Sequence, residues 1–150
     1  HITVAADSGM LARMPDEIDA GYIDDVLGKS LDDGVFLVAE SGGRVIGELH
    51  AYRMGLRKFA HVLGSLTVAV HPDAQGKGVG RKLFEALFRE VRANWPQVSR
   101  VELYTQQSNT RGQRLYESLG FRPQGRSEKA ILGPDGKPED DIPMAWFPDG

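Results

Sequence analysis

An apolar strand that leads through a glycine-rich turn into a long helix is the feature that most constrains how this chain folds. Residues 61–71 are mostly valine, leucine and alanine, and Pro72 ends the run because proline cannot donate to a sheet ladder. The turn 75–80 follows, and residues 78–95 place apolar side chains on one face with helical spacing. The segment therefore predicts a central strand, a tight turn and a helix that packs back on the sheet.

Further elements are predicted on both sides of this unit. Two β-branched and apolar runs around a Ser-Gly-Gly turn predict a hairpin. Predicted strands are 2–4, 35–40, 44–52, 101–105, 121–131 and 142–147, and predicted helices begin near Pro15 and span 110–119, with Asn109 as cap and Gly120 as stop. This order predicts an α/β (α+β) fold in which a central mixed twisted sheet of about six to seven strands is flanked by helices, with a parallel crossover in its middle.

Composition narrows the class of protein. A chain of 150 residues predicts one domain spanning 1–150. Eighteen basic against 21 acidic residues give a net charge of -3, the wrong sign for a protein that binds nucleic acid by neutralising phosphates. No run of 18 apolar residues and no secretory signal pattern is present, so we expect no membrane partner and a cytoplasmic protein. Because cysteine is absent, disulfides, thiolate metal ligands and a cysteine nucleophile are excluded.

The turn 75–80 has the chemistry of a phosphate site. Glycines let a ligand approach the backbone closely, and the first amides of a helix are unsatisfied donors that favour an anion. A flexible turn without a ligand is the alternative. A Walker loop is excluded because Lys77 is followed by Gly78 rather than serine or threonine, and a dinucleotide fingerprint is excluded because Arg81 and Leu83 stand where its last glycine belongs.

The loop Gln75-Gly-Lys-Gly-Val-Gly80 resembles the Q/R-x-x-G-x-G/A pyrophosphate loop of the GNAT superfamily, the acyl-coenzyme A dependent N-acetyltransferases. A second segment, Asn109-Thr-Arg-Gly-Gln-Arg-Leu-Tyr116-Glu-Ser-Leu-Gly120-Phe121, resembles the N-x-x-A-x-x-L-Y-x-x-x-G-F helix of that family. The resemblance covers about residues 35–121 and implies the GNAT fold. Gly112 departs from it, since the family usually has alanine there, which costs about 1 kcal/mol of helix propensity.

The resemblance implies acetyl-CoA as acyl donor and a set of residues that bind it. Loop amides would hold the pyrophosphate, main-chain groups of the central strand would pair with the pantetheine arm, and Asn109 would touch the cofactor side of the cleft. The implied residues are Val68, Ala69, Val70, Gln75, Gly76, Lys77, Gly78, Val79, Gly80, Arg81 and Asn109. An excess of basic residues between Gly76 and Arg100 predicts a local basic patch at this site.

Direct attack by an amine on the thioester is the predicted route, because the chain has neither a cysteine nor a G-x-S-x-G elbow. A developing oxyanion needs a donor, for which a main-chain amide within 68–70 is the candidate. Tyr116 matches the family's tyrosine beside the sulfur, so we predict that it protonates the leaving thiolate. The alternative for Tyr116 is a core aromatic beside Leu115 and Leu119.

The general base is left open by the sequence. The stretch Leu63-Gly-Ser-Leu66 lacks the glutamate that some relatives place in the central strand. Glu48 and His50 are candidates on one face of the preceding strand, by strand alternation, and His61, His71 or a chain of waters are the others. The histidines do not show metal-ligand spacing, so no metal site is predicted.

The acceptor is predicted to be a small-molecule amine. The first 40 residues carry nine acidic side chains against Arg13 and Lys29, so an acidic rim would attract a cationic amine, with an ordinary solvated helix face as the alternative. In the family, this region and the connection 54–58 usually border the acceptor. A protein N-terminal acetyltransferase of the ribosomal-protein type and a non-catalytic acyl-CoA binding module are alternatives, and the oligomeric state, including a homodimer, stays open.

Overall fold

The computed structural model describes residue 1 and residues 11–150, which form seven strands and three α-helices. The strands are β1 (Gly34–Ser41), β2 (Arg44–Tyr52), β3 (Val62–Val70), β4 (Arg100–Gln106), β5 (Arg122–Pro123), β6 (Ser127–Leu132) and β7 (Pro138–Trp146). The helices are α1 (Ala20–Asp33), α2 (Val79–Asn94) and α3 (Thr110–Ser118), with 3₁₀ turns at Pro15–Glu17, Arg57–Phe59 and Pro72–Ala74. The predicted strand at 2–4 lies outside the described residues.

The strands form one mixed sheet in the order β1-β2-β3-β4-β7-β5, with β6 paired to β7. All described pairings are antiparallel except that of β3 with β4, which α2 connects. This parallel pair is short: Val62 pairs with Arg100 and Leu63 with Val101, and no further pair follows among the described residues. The predicted mixed sheet with a central parallel crossover is confirmed, and the two central strands diverge beyond their first residues.

One face of the sheet carries α2 and the main core. Phe84, Leu87 and Val91 of α2 are at most 1% exposed and pack on Leu49, Leu63 and Val101 of the central strands. Gly47 permits this close packing, because a Cβ atom there would lie 3.0 Å from Val79 Cγ1. The apolar stripe of residues 78–95 therefore fixes the start of α2 against β2, beside the glycine-rich turn.

The other face of β1 and β2 is covered by α1. This helix begins at Ala20, later than the predicted start near Pro15, because Asp19 accepts a hydrogen bond from the amide of Tyr22 at 2.8 Å and caps it. Pro15 starts a separate 3₁₀ turn. No helix among the described residues has the length and apolar character to span a membrane.

The C-terminal strands differ from the prediction in their bounds. The predicted strand 121–131 is divided into β5 and β6, because the backbone changes direction at Gly125, where φ is +133°. The amide of Gln124 still donates to Pro143 O of β7 at 2.8 Å. Strand β7 begins at Pro138 rather than at residue 142, because residues 138, 139 and 141 pair with β6 instead of forming a solvated loop. The side chains of Glu139 and Asp140 accept hydrogen bonds from Ser108, Arg126 and Lys129.

Candidate active site

A cleft of about 600 Å³ lies where the glycine-rich turn, β3 and the start of α3 meet. We call it the first cleft. Of the predicted cofactor-binding residues, Val68, Val70, Gln75, Gly76, Gly78, Val79, Gly80, Arg81 and Asn109 line it, and so does Tyr116. Ala69 and Lys77 do not: Ala69 alternates to the opposite face, where it pairs with Glu48 in register, and Lys77 Nζ donates to Asp73 O at 3.1 Å. The sequence motifs thus converge on one concave site.

Glycine conformation shapes the turn. Gly76 and Gly78 have φ values of +74° and +79°, in the left-handed region that favours glycine, and Gly78 is the N-cap of α2. A Cβ atom at Gly78 would meet no protein atom within 4 Å, so its open side faces space rather than the core. Gln75 closes the turn, because its Nε2 donates to Val70 O at 3.1 Å. This geometry fits a phosphate group against the amides of the turn.

The edge of β3 that faces β4 is free of ladder partners beyond Leu63 in the part of the chain that the structure describes. Val68 and Val70 of this stretch line the first cleft, while β2 pairs with the other edge of β3. An extended ligand with amide groups, such as pantetheine, could therefore pair with this edge as an added strand.

Asn109 lines the first cleft and also caps the N-terminus of α3. Its Oδ1 accepts from the amide of Gly112 at 3.0 Å, and its Nδ2 donates to Thr105 Oγ1 at 3.2 Å. The side chain lies so close over Gly112 that a Cβ atom there would overlap it. An alanine at position 112 would therefore require the Asn109 side chain to shift.

The basic residues that were predicted to form one patch lie in different parts of the structure. Arg81 lines the first cleft, but the Arg92 guanidinium lies 5.0 Å from the Trp146 ring and the Arg100 guanidinium 5.7 Å from the Phe147 ring, both elsewhere. Sequence reasoning missed Arg111, which lines the first cleft with its Nη2 3.6 Å from the Cβ position of Gly76. Its place in the first turn of α3 after the Asn109 cap could have indicated it.

Tyr116 lies at the inner wall of the first cleft. Its ring packs on Phe84 and Phe121 with centroid separations of 5.6 and 6.0 Å, and the residue is 9% exposed. Burial raises the pKa of its hydroxyl to about 12. The two roles considered for Tyr116, core aromatic and general acid, are therefore compatible. The ring packs in the core, and the residue lines the cleft with a hydroxyl that is protonated at neutral pH.

Glu48 and His50 form a buried pair under α1. His50 Nδ1 donates to Glu48 Oε1 at 2.7 Å, and the Glu48 carboxylate also binds the His1 imidazole. Burial alone would raise the pKa of the Glu48 carboxyl, but the hydrogen bonds from His1 and His50 lower it below its ordinary value of 4.5. The predicted common face is confirmed, yet neither side chain lines the first cleft or the second cleft described below.

These three side chains also place one donor atom each within 4.8 Å of one another. Sequence spacing could not indicate this group, since His1 and Glu48 lie 47 residues apart. Hydrogen bonds between the carboxylate and the two imidazoles account for the arrangement.

Removing the Glu48 carboxylate is expected to destabilise the fold. Glu48→Gln should lower the free energy of unfolding at pH 7 by about 1 to 3 kcal/mol, because buried imidazoles lose a charged acceptor. Because the pKa of Glu48 is lower in the folded than in the unfolded protein, the ionised carboxylate stabilises the fold at pH values above its unfolded pKa. This stabilisation is lost as the pH falls through the folded pKa. The difference in free energy of unfolding between wild type and Glu48→Gln should therefore shrink between pH 5 and pH 3. Urea unfolding of wild type and Glu48→Gln at pH 7 and at pH 3 tests this. The exposed Glu128→Gln is the control, and an equal loss at pH 3 and pH 7 would contradict the account.

A second cleft of about 460 Å³ lies where β3 and β4 begin to diverge. It is lined by Tyr52, Met54, Lys58, Phe59, His61, Val62, Gly64, Ser65, Arg100, Glu102 and Tyr104. By strand alternation, Glu102 and Tyr104 point away from α2, since Val101 and Leu103 are in the core. The acidic residues described between 11 and 40 line neither cleft, so the expected acidic rim is not found at either. His71, another candidate base, accepts from the amide of Asp73 at 3.2 Å and caps a 3₁₀ turn.

Comparison with known proteins gives a consistent family. A model described as an acetyltransferase (GNAT) domain matches residues 32–123. A mycothiol acetyltransferase from Nocardiopsis dassonvillei is 37% identical over 128 residues, which cover 79% of this chain and 38% of that protein. The [ribosomal protein bS18]-alanine N-acetyltransferase from Haemophilus ducreyi is 35% identical over 80 residues, 53% of this chain and 54% of that protein. The chain thus spans about half or less of the length of these relatives.

Among solved structures, yncA from Salmonella typhimurium, determined with its cofactor acetyl-CoA, superposes with a TM-score of 0.84 at 23% identity and covers 99% of this chain and 84% of that chain. The match shows that the two chains share a fold.

Proposed function

The chain belongs to the GNAT acetyltransferase family, and from this premise we propose that it transfers an acetyl group from acetyl-CoA to a primary amine by direct attack. The observation that carries the proposal is the first cleft, in which the glycine-rich turn, the free edge of β3 and Tyr116 meet. Each of these three parts supplies a different requirement of acyl transfer.

Binding of acetyl-CoA is assigned to the turn and the strand edge. The amides of 75–80 at the N-terminus of α2 would hold the pyrophosphate, with Arg81 and Arg111 beside it. Main-chain groups of 68–70 would pair with the pantetheine arm. When bound there, acetyl-CoA supplies an acetyl group activated as a thioester.

Proton transfer during the reaction is assigned to Tyr116 and to a base. The amine nitrogen, once neutral, forms a bond to the acetyl carbon while the carbon–sulfur bond breaks, and the Tyr116 hydroxyl gives its proton to the leaving sulfur. The nitrogen loses its second proton as the amide forms, and this proton restores the Tyr116 hydroxyl. An alkylammonium is only about 0.1% neutral at pH 7.4, so a base must take a proton from it. Glu48 and His50, the predicted bases, are buried outside both clefts, and hydrogen bonds lower the pKa of the Glu48 carboxyl. We therefore propose that a chain of waters takes the proton from the amine.

The acceptor is proposed to be a small amine or amino acid. Thiol release from acetyl-CoA, measured with polyamines, amino acids, aminoglycosides and N-terminal peptides, should give turnover with at least one small amine at low salt. A non-catalytic binding module would bind acetyl-CoA in calorimetry and release no thiol with any acceptor.

A protein N-terminal acetyltransferase is the second candidate. It is favoured by the 35% identity with the bS18-alanine enzyme over 80 residues, about half of each chain. The same panel separates the two candidates, because activity confined to peptides with a free N-terminus would favour protein modification and reject the small amine.

A further inference from the structure

The second cleft combines three chemical features that no part of the proposed reaction has used. It lies on the sheet face opposite to α2, beside the β3 bulge where the partners of His50 and Tyr52 shift in register. Ser65 in this cleft and Val68 in the first cleft are three residues apart on β3, or about 10 Å at about 3.3 Å per residue. A molecule in the second cleft could therefore reach a group held on the free edge of β3.

The first feature is a carboxylate with one oxygen available. Glu102 Oε2 accepts from Arg100 Nε at 2.9 Å, while Glu102 Oε1 makes no hydrogen bond within residues 11–150 and lies 3.4 Å from the Cβ position of Gly64. Because Gly64 has no side chain, the Glu102 carboxylate lies against β3 itself. The strand β4 thus supplies a carboxylate beside the stretch 63–66, which has none of its own. An ammonium group is the natural partner of the available oxygen.

The second feature is an apolar and aromatic wall. Met54, Phe59 and Tyr104 are 67%, 45% and 61% exposed, and each lines the second cleft. Large apolar side chains that share one concave surface favour a ligand with an apolar or aromatic part. A polyamine, which is cationic along its length, does not match this wall.

The third feature is positive charge around the cleft. Lys58 has no ion-pair partner among the residues that the structure describes, and it lies in the 3₁₀ turn that borders the cleft beside Phe59. Arg100 is the second cation, and among the described residues Glu102 is the only acidic one that lines this cleft. A ligand with an anionic group is therefore favoured over one that is only cationic.

We propose that the second cleft binds an amino acid with an apolar or aromatic side chain as the acetyl acceptor. Glu102 holds the amino group, the wall of Met54, Phe59 and Tyr104 holds the side chain, and Lys58 attracts the carboxylate. The inference rests on the proposed function, and it replaces the expected acidic rim by a site in which one carboxylate and one lysine recognise the two ends of a zwitterion.

The test compares three probes that differ only at the carboxylate: L-phenylalanine, L-phenylalaninamide and phenethylamine. Binding to the protein saturated with acetyl-CoA or CoA is measured by NMR titration, and turnover by thiol release. L-phenylalanine should bind roughly five- to tenfold more tightly than phenethylamine, as expected for one exposed charge pair. Lys58→Ala should remove this preference and change the binding of phenethylamine less than twofold. Glu102→Gln should weaken all three probes.

Lys137→Ala, in the loop before β7 and outside both clefts, is the matched control for Lys58→Ala and should change nothing. Equal binding of the three probes, or a carboxylate preference that survives Lys58→Ala, would overturn the inference even if amines are acetylated. The proposed function fails separately, when probes bind as expected and no acceptor in the panel releases thiol.

Discussion

Replacing Tyr116 with phenylalanine is expected to lower the turnover of acetyl transfer roughly 100- to 10,000-fold, the usual contribution of a general acid. The substitution keeps the ring that packs on Phe84 and Phe121, so the fold should be retained. Only the hydroxyl of this cleft-lining residue is removed. Steady-state thiol release with the best acceptor of the panel measures the loss, and calorimetry should find acetyl-CoA affinity nearly unchanged.

The loss of turnover in Tyr116→Phe should not depend on pH near neutrality. Because burial raises the pKa of the Tyr116 hydroxyl to about 12, the group stays protonated between pH 6 and pH 9 and is lost as an acid only near its raised pKa. The ratio of wild-type to variant turnover should therefore be constant over that range. Tyr22→Phe, on α1 and outside both clefts, is the control. Turnover of Tyr116→Phe within twofold of wild type would assign Tyr116 to packing alone.

The elements that sequence predicted well are those whose signals are local. The strand-turn-helix unit of β3 and α2 follows from an apolar run, glycines and a helical stripe, and α3 follows from the Asn109 cap and the left-handed Gly120. Strand β7 was missed at its start because Glu139, Asp140 and Asp141 appear as a polar loop. Their partners, among them Ser108 and Arg126, are distant in sequence, and no local pattern reveals them.

The two clefts also differ in how local their sequence signals are. Most of the first cleft was predicted because its residues belong to two continuous motifs. The second cleft unites residues of β2, β3, β4 and the 3₁₀ turn Arg57–Phe59, so no spacing indicates it. The pair Glu48 and His50 is an intermediate case: alternation predicted one shared face, but the helix that covers this face comes from elsewhere in the chain.

Replacing Gly78 with valine is expected to weaken acetyl-CoA binding by roughly 100-fold, the loss of one or two charge-assisted hydrogen bonds from the turn amides. Gly78 has φ of +79°, and its Cβ position is open to space on the side of the turn where the pyrophosphate is proposed to lie. A branched side chain there would hold the phosphates away from the N-terminus of α2. Calorimetric titration with acetyl-CoA measures the change.

The same substitution also strains the backbone, so the control must share that strain. Gly136 has φ of +76° and an equally open Cβ position, but it lies in the loop before β7 and outside both clefts. Gly136→Val and Gly78→Val should therefore lose similar stability, about 1 to 2 kcal/mol for a left-handed non-glycine residue. Only Gly78→Val should lose affinity for acetyl-CoA. A folded Gly78→Val protein that binds acetyl-CoA as tightly as Gly136→Val would show that the turn does not hold the phosphates.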